Sequence, residues 1–109
     1  MFKQRDIVLV DFPFTSLSES KLRPALILST DKVNTKDEFV CVQITSKIWK
    51  DGLFLEIDNK DVKQPMKLKS GIRLHKIFTV DLKLIEKKIS EMNADSFKKV
   101  LAEINAKVF

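Results

Sequence analysis

Lys21-Leu22-Arg23-Pro24-Ala25-Leu26-Ile27-Leu28-Ser29 sets a cation and a proline at the mouth of an apolar run. Proline disfavours the helical region for the residue before it, so Arg23 is expected to stand extended at the start of a strand. Pro24 has no N–H to give, which is tolerated at a strand's first residue or on an edge. Ala25 to Leu28 are apolar without alternation, the pattern of a strand buried on both faces. An arginine at the start of a rigid, buried strand aims a planar guanidinium at an anion. The same pattern also fits a solvated rim arginine, so its meaning rests on what the rest of the chain brings beside it.

Upstream, Ile7 to Phe14 reads as a first strand, with Val8, Val10, Phe12 and Phe14 on its more buried face and Pro13 marking an edge or bulge. Between the two strands, Thr15 to Lys21 is polar and rich in hydroxyls, a composition suited to a loop that closes over a ligand. Downstream, Thr30 to Asp37 is a polar connection. Phe39 to Ser46 then alternates: Val40, Val42 and Ile44 share one face, and Phe39, Cys41, Gln43 and Thr45 the other. Gln43 and Thr45 therefore put an amide and a hydroxyl on one side of a strand expected to neighbour Arg23.

Asp51-Gly52, after Trp49-Lys50, predicts a hairpin whose returning strand runs from Leu53 to Asp58. Asn59 to Lys69, broken by Pro65, reads as a loop. Ser70 to Val80 reads as one or two short strands with Gly71 as a bulge and with Arg73 and His75 on the same side. Asp81 is placed to cap a helix from Leu82 to Ile89, striped by Leu82, Ile85 and Ile89. Asn93 is placed to cap a second, striped by Phe97, Val100, Leu101, Ile104 and Val108. Five or so short strands followed by helices indicate a single α+β domain over residues 1–109, mainly β, built on a small antiparallel barrel.

Composition narrows the function classes. The 109 residues suit one core, and 44% hydrophobic with 32% charged residues is the balance of a globular chain. No apolar run approaches the roughly twenty residues of a membrane span. A single Cys and a single His leave no disulfide and no zinc cluster, so a cytoplasmic protein without metal or cofactor is expected. The net charge of +5 favours a polyanionic partner such as nucleic acid, provided the charge converges on one face.

Four stretches, in order, carry a resemblance: Asp6-Ile7-Val8-Leu9-Val10-Asp11-Phe12-Pro13-Phe14-Thr15, Leu22 to Ser29, Gln43-Ile44-Thr45-Ser46, and Arg73 to Asp81. Across nearly its whole length the chain resembles the PemK/MazF toxins of bacterial toxin-antitoxin pairs. The resemblance implies an SH3-like barrel with a C-terminal helix, a homodimer, and a metal-independent endoribonuclease held by a cognate antitoxin whose acidic or hydrophobic tail lies across the RNA groove. It assigns the chemistry to Arg23 and Thr45, with Ser46 adjacent. Three departures stand out: Arg5 where the family commonly has glycine, Ser90 where a glycine is common, and His75 in place of the acid of an Arg-x-Asp motif.

Metal-free RNA cleavage needs charge stabilisation at a phosphate and the handling of two protons. Arg23 supplies a fork that matches phosphate, and Thr45 a further hydrogen bond. Arginine stays protonated in nearly all settings, so His75, the one residue of a type whose unperturbed pKa is near neutrality, is the candidate base. Lys21, Gln43, Ser46, Arg73, Ser18 and Glu19 are the candidate RNA contacts. Single-stranded RNA is the expected substrate, because unstacked bases are what proteins read in RNA. The competing classes are a non-enzymatic toxin on the same barrel, such as a gyrase poison, and an RNA-binding module without turnover.

Overall fold

The computed structural model describes residues 1–13 and 20–109. The loop between the first two strands, with Ser18 and Glu19, lies outside the described residues, as does Phe14. Six strands form one antiparallel sheet: β1 (Asp6–Pro13), β2 (Ser20–Ile27), β3 (Glu38–Thr45), β4 (Phe54–Ile57), β5 (Ser70–Asp81) and β6 (Ile85–Glu91), in the order β4-β5-β3-β2-β1-β6. One turn of helix, α1 (Asp31–Asn34), joins β2 to β3, and a longer one, α2 (Ala94–Lys107), ends the chain. Beyond β4, Val62 bridges Met92, and Lys63 N–H donates to the Glu91 carbonyl at 2.9 Å. The two edges of the sheet are thereby drawn together into a barrel.

Both faces of the sheet are buried, as the unbroken run in β2 predicts. Ile7, Leu26, Val42, Ile44, Ile72 and Leu74 pack with Phe97, Val100 and Ile104 of α2, whereas Val8, Val10, Ala25, Ile27, Phe39 and Cys41 pack together in a second cluster. In β1 the expectation of one favoured face gives way to burial of Ile7 and Val8 alike. Burial also pushes the Cys41 thiol up to about 12, so it stays protonated and unreactive.

The expected helix from Leu82 to Ile89 is instead a single 3-10 turn, Leu82–Leu84, followed by β6. Asp81 does cap, accepting from Lys83 N–H at 3.0 Å, but only that turn. A spacing of four, Ile85 to Ile89, is one helical turn and equally two strand repeats, so periodicity could not separate the two. Ser90 consequently sits in a buried strand position, where its hydroxyl donates to the Gln64 carbonyl at 2.8 Å and accepts from Gln64 N–H at 3.0 Å. Asn93 caps α2 as expected, accepting from Ser96 N–H at 2.9 Å, although Leu101 of the predicted stripe is exposed.

Two further expectations shift. Asp51-Gly52 turns the chain, but β4 pairs with β5 and not with β3. Gly71 is not the bulge either. A Cβ there would run into the Phe54 ring, so the glycine admits that ring against the backbone. The irregularity falls between Ile44↔Ile72 and Val42↔Ile77, where Arg73 to Lys76 of β5 oppose Gln43 alone. At Arg5 the φ of +78° explains why glycine suits the position: a side chain there costs about 1–2 kcal/mol. Arg5 offsets this with a hydrogen bond from Nη1 to the Met92 carbonyl at 3.1 Å.

Candidate active site

The ladder between β2 and β3 covers only Ala25↔Gln43, Leu26↔Val42 and Ile27↔Cys41. Pro24 lies inside the sheet, paired to Leu9 of β1, but it stands at the first position past that shorter ladder, where a missing N–H is tolerated. Beyond this point the strands part and a groove of about 460 Å³ opens. Arg23 and Thr45, each two residues past the last paired positions, both line it, together with Phe12, Gln43, Ser46, Lys47, Trp49, Arg73 and Lys76. Four of these side chains are cations, and none is a carboxylate, imidazole or thiol.

Each side chain arrives for a local reason. Arg23 and Gln43 share strand parity with Ala25 and Cys41, so the face that is core in mid-sheet becomes groove wall where the strands diverge. The Thr45 hydroxyl accepts from Lys47 N–H at 3.1 Å, which uses a lone pair and not its own proton. Phe12 floors the groove with its ring edge-to-face on Phe78 at 4.9 Å.

Arg73 is the most constrained of the cations. It is buried, and its Nη1 and Nη2 donate to the two carboxylate oxygens of Asp51, each at 3.0 Å. Asp51 Oδ1 also accepts from Leu53 N–H at 3.0 Å, so the Asp-Gly turn serves to hold this arginine. The Arg73 hydrogen bonds, followed by that of Leu53, pull the Asp51 carboxyl down to about 2. The guanidinium carbon lies 4.2 Å from the centre of the Trp49 ring, and Lys47 Nζ 4.3 Å. Two of the five Arg73 donors are thus committed to Asp51, and its plane supports the indole.

Arg23, Gln43, Thr45, Ser46 and Arg73 meet in this groove. Lys21 is exposed on β2 and outside the lining, and Ser18 and Glu19 lie outside the described residues. His75 is exposed and outside the lining too, although its neighbours Arg73 and Lys76 both belong to it. A regular strand would put Arg73 and His75 on one side, but the bulge breaks that parity. Sequence reading missed Lys47, Trp49, Lys76 and Phe12 as groove residues. An aromatic residue between lysines, in Lys47-Ile48-Trp49-Lys50, was the signal available for the first two.

Comparison with known proteins agrees with this architecture. Residues 3–108 match the family model of the PemK-like, MazF-like toxins of type II toxin-antitoxin systems. The chain belongs to this family. An endoribonuclease solved with its cognate antitoxin, from a mycobacterial species, superposes with a TM-score of 0.79 at 14% identity, over 99% of this chain and 95% of its own. MazF in a MazE-MazF complex from Deinococcus radiodurans gives 0.77 at 15% identity, over 97% and 94%. The Mycobacterium tuberculosis toxin MazF-mt6 gives 0.71 at 20% identity, over 92% and 91%. At these identities the likeness is one of fold, and the PemK/MazF barrel expected from the four sequence blocks is the fold found. No curated protein sequence matches the chain. Among the described residues, no helix is long and apolar enough to cross a membrane.

Proposed function

We propose that this PemK/MazF-family chain is a sequence-selective, metal-independent endoribonuclease that cleaves single-stranded RNA, works as a homodimer and is neutralised by a cognate antitoxin. The observation that carries the reading is the shared groove of Arg23 and Thr45, walled by cations and, among the described residues, lined by no carboxylate. The substrate's own 2'-oxygen bonds to phosphorus while the P–O5' bond breaks, leaving a 2',3'-cyclic phosphate and a 5'-hydroxyl. Arg23 presents two N–H groups to the phosphate oxygens as charge builds there, and the Thr45 O–H adds a third donor. Gln43, Ser46 and Lys76 hold the flanking strand. Among the described residues that line the groove there is no imidazole, carboxylate or thiol, so the 2'-hydroxyl proton passes to solvent water and the leaving 5'-oxygen takes one back. The same cations suit an acidic antitoxin tail laid along the groove.

Incubating the purified protein with a long RNA in EDTA and mapping new 5'-hydroxyl ends tests the reading. Site-specific ends that vanish in Arg23→Ala are expected. Binding without new ends would instead identify an RNA-binding protein without turnover, and neither binding nor ends would favour a non-enzymatic toxin. Light scattering on the same sample tests the dimer.

A further inference from the structure

The reaction leaves one part of the groove unused. Trp49, on the segment between β3 and β4, is 39% exposed and lines the groove, and two cations of different character lie over its indole. Arg73 is buried and tied to Asp51 by two hydrogen bonds, so it is a fixed support. Lys47 is exposed, on a flexible stem, and has no carboxylate partner among the described residues. A tryptophan serving only to cover Arg73 would have no need to face a groove lined by cations. A ring laid on a clamped guanidinium is instead oriented before any ligand arrives, which lowers the entropy cost of stacking on it.

We propose that Trp49 is the stacking platform for one unpaired base of the strand held in the groove. Lys47 moves from the ring to an adjacent phosphate as the base takes its place. The inference rests on the groove being a nucleic-acid site, as argued above, and adds how the strand is steered past Arg23. Every base has a π face, so this contact fixes the path of the strand without choosing its sequence.

Trp49 is the chain's only tryptophan, so intrinsic fluorescence reports on this ring alone. Two dye-labelled probes separate base from backbone: a short oligouridylate with every 2'-hydroxyl methylated, which cannot be cleaved, and an abasic strand with the same number of phosphates. The oligouridylate should quench Trp49 saturably, and the abasic strand, brought to saturation by anisotropy, should not. Trp49→Ala should weaken oligouridylate binding by about 5- to 150-fold and Trp49→Phe by less, with abasic binding unchanged in both. Equal quenching by the two strands, binding without quenching, or equal weakening of both by Trp49→Phe overturns the stacking role alone. Failure of both probes to bind overturns the nucleic-acid reading with it.

Discussion

Two ionic clusters sit at opposite ends of β1, and they are built in opposite senses. At the groove, beyond Phe12, the cation is buried and the acid exposed: Arg73 has 5% of its side chain in solvent and Asp51 42%. Where β1 begins, the acids are buried and the cation exposed: Asp6 at 1% and Glu91 at 10%, against Lys88 at 39%. Lys88 Nζ lies 3.1 Å from both Asp6 Oδ1 and Glu91 Oε1, and Lys63 Nζ 3.4 Å from Glu91. Asp6 Oδ1 makes no well-directed hydrogen bond, so its contact with Lys88 is one of charge and not of aligned donor and acceptor. A buried charge is costly unless paired, and both clusters meet that condition. They differ in what surrounds them. At the β1–β6 clasp the cations Arg5, Lys63 and Lys88 all face carboxylates, whereas Arg73 and Asp51 stand beside a wall whose charged side chains, among the described residues, are all cations. The clasp ties β6 to β1, whereas the groove cluster, on the function proposed above, holds a surface ready for an anion.

That distinction breaks most easily at Arg23. Replacing it with alanine should lower single-turnover cleavage about 10²–10³-fold, the usual loss for one donor to a developing oxyanion, with the melting temperature almost unchanged. A variant that melts early and still cleaves at low temperature would make the groove arginine structural and erase the contrast. Asp6→Ala is the converse test. It strands Lys88 with Glu91 alone and removes the acceptor for Lys3 N–H at 3.0 Å, so a stability loss of about 1–3 kcal/mol is expected in urea titration. Cleavage per folded molecule should not change.

The groove was more legible in the sequence than the clasp. Arg23 and Thr45 stand on strands whose apolar patterns are strong, so parity alone puts Arg23 with Ala25 and Thr45 with Gln43. Asp6, Lys88 and Glu91 could not be joined while residues 82–89 read as a helix, because the register Asp6↔Glu91 exists only once β6 is a strand. Likewise, Asp51-Gly52 announces a turn, but nothing local says that the carboxylate will reach Arg73, a partner 22 residues on. Parity failed at His75 for the same reason: the bulge that turns it outward comes from β5 being longer than its β3 partner, a property of the pairing and not of either strand.

A smaller effect sharpens the comparison through pH. Asp51 falls from 3.8 to about 2 on folding, chiefly through its hydrogen bonds from Arg73. A carboxyl lowered in the folded state contributes stability that is complete above 3.8 and is lost as the pH falls through about 2. Asp51→Asn should therefore flatten the urea midpoint against pH across that window, relative to the parent protein. The clasp responds at the other end of the scale. The carboxylates of Asp6 first and then Glu91, each 3.1 Å from the ammonium, raise Lys88 above its ordinary 10.5, so its contribution is whole below that value and fades as the pH climbs past it. Matching acid slopes in Asp51→Asn and the parent would show that the bidentate pair is not kept in solution.

The smallest expected change belongs to His75. It is the chain's only imidazole, and a base titrating near neutrality would impose a break in the rate against pH close to its own pKa. A base must also come within hydrogen-bond reach of the 2'-hydroxyl, which the proposed mechanism sets beside a phosphate held by Arg23 and Thr45. His75 lies on the exposed side of the β5 bulge, outside the groove lining. Its replacement by alanine should leave the rate within about twofold and the pH profile unmoved, an effect no larger than that of an ordinary surface substitution. A lost inflection near neutral pH would instead mean that the bound strand crosses the bulge, so that the working site extends past the wall formed by Arg73 and Lys76.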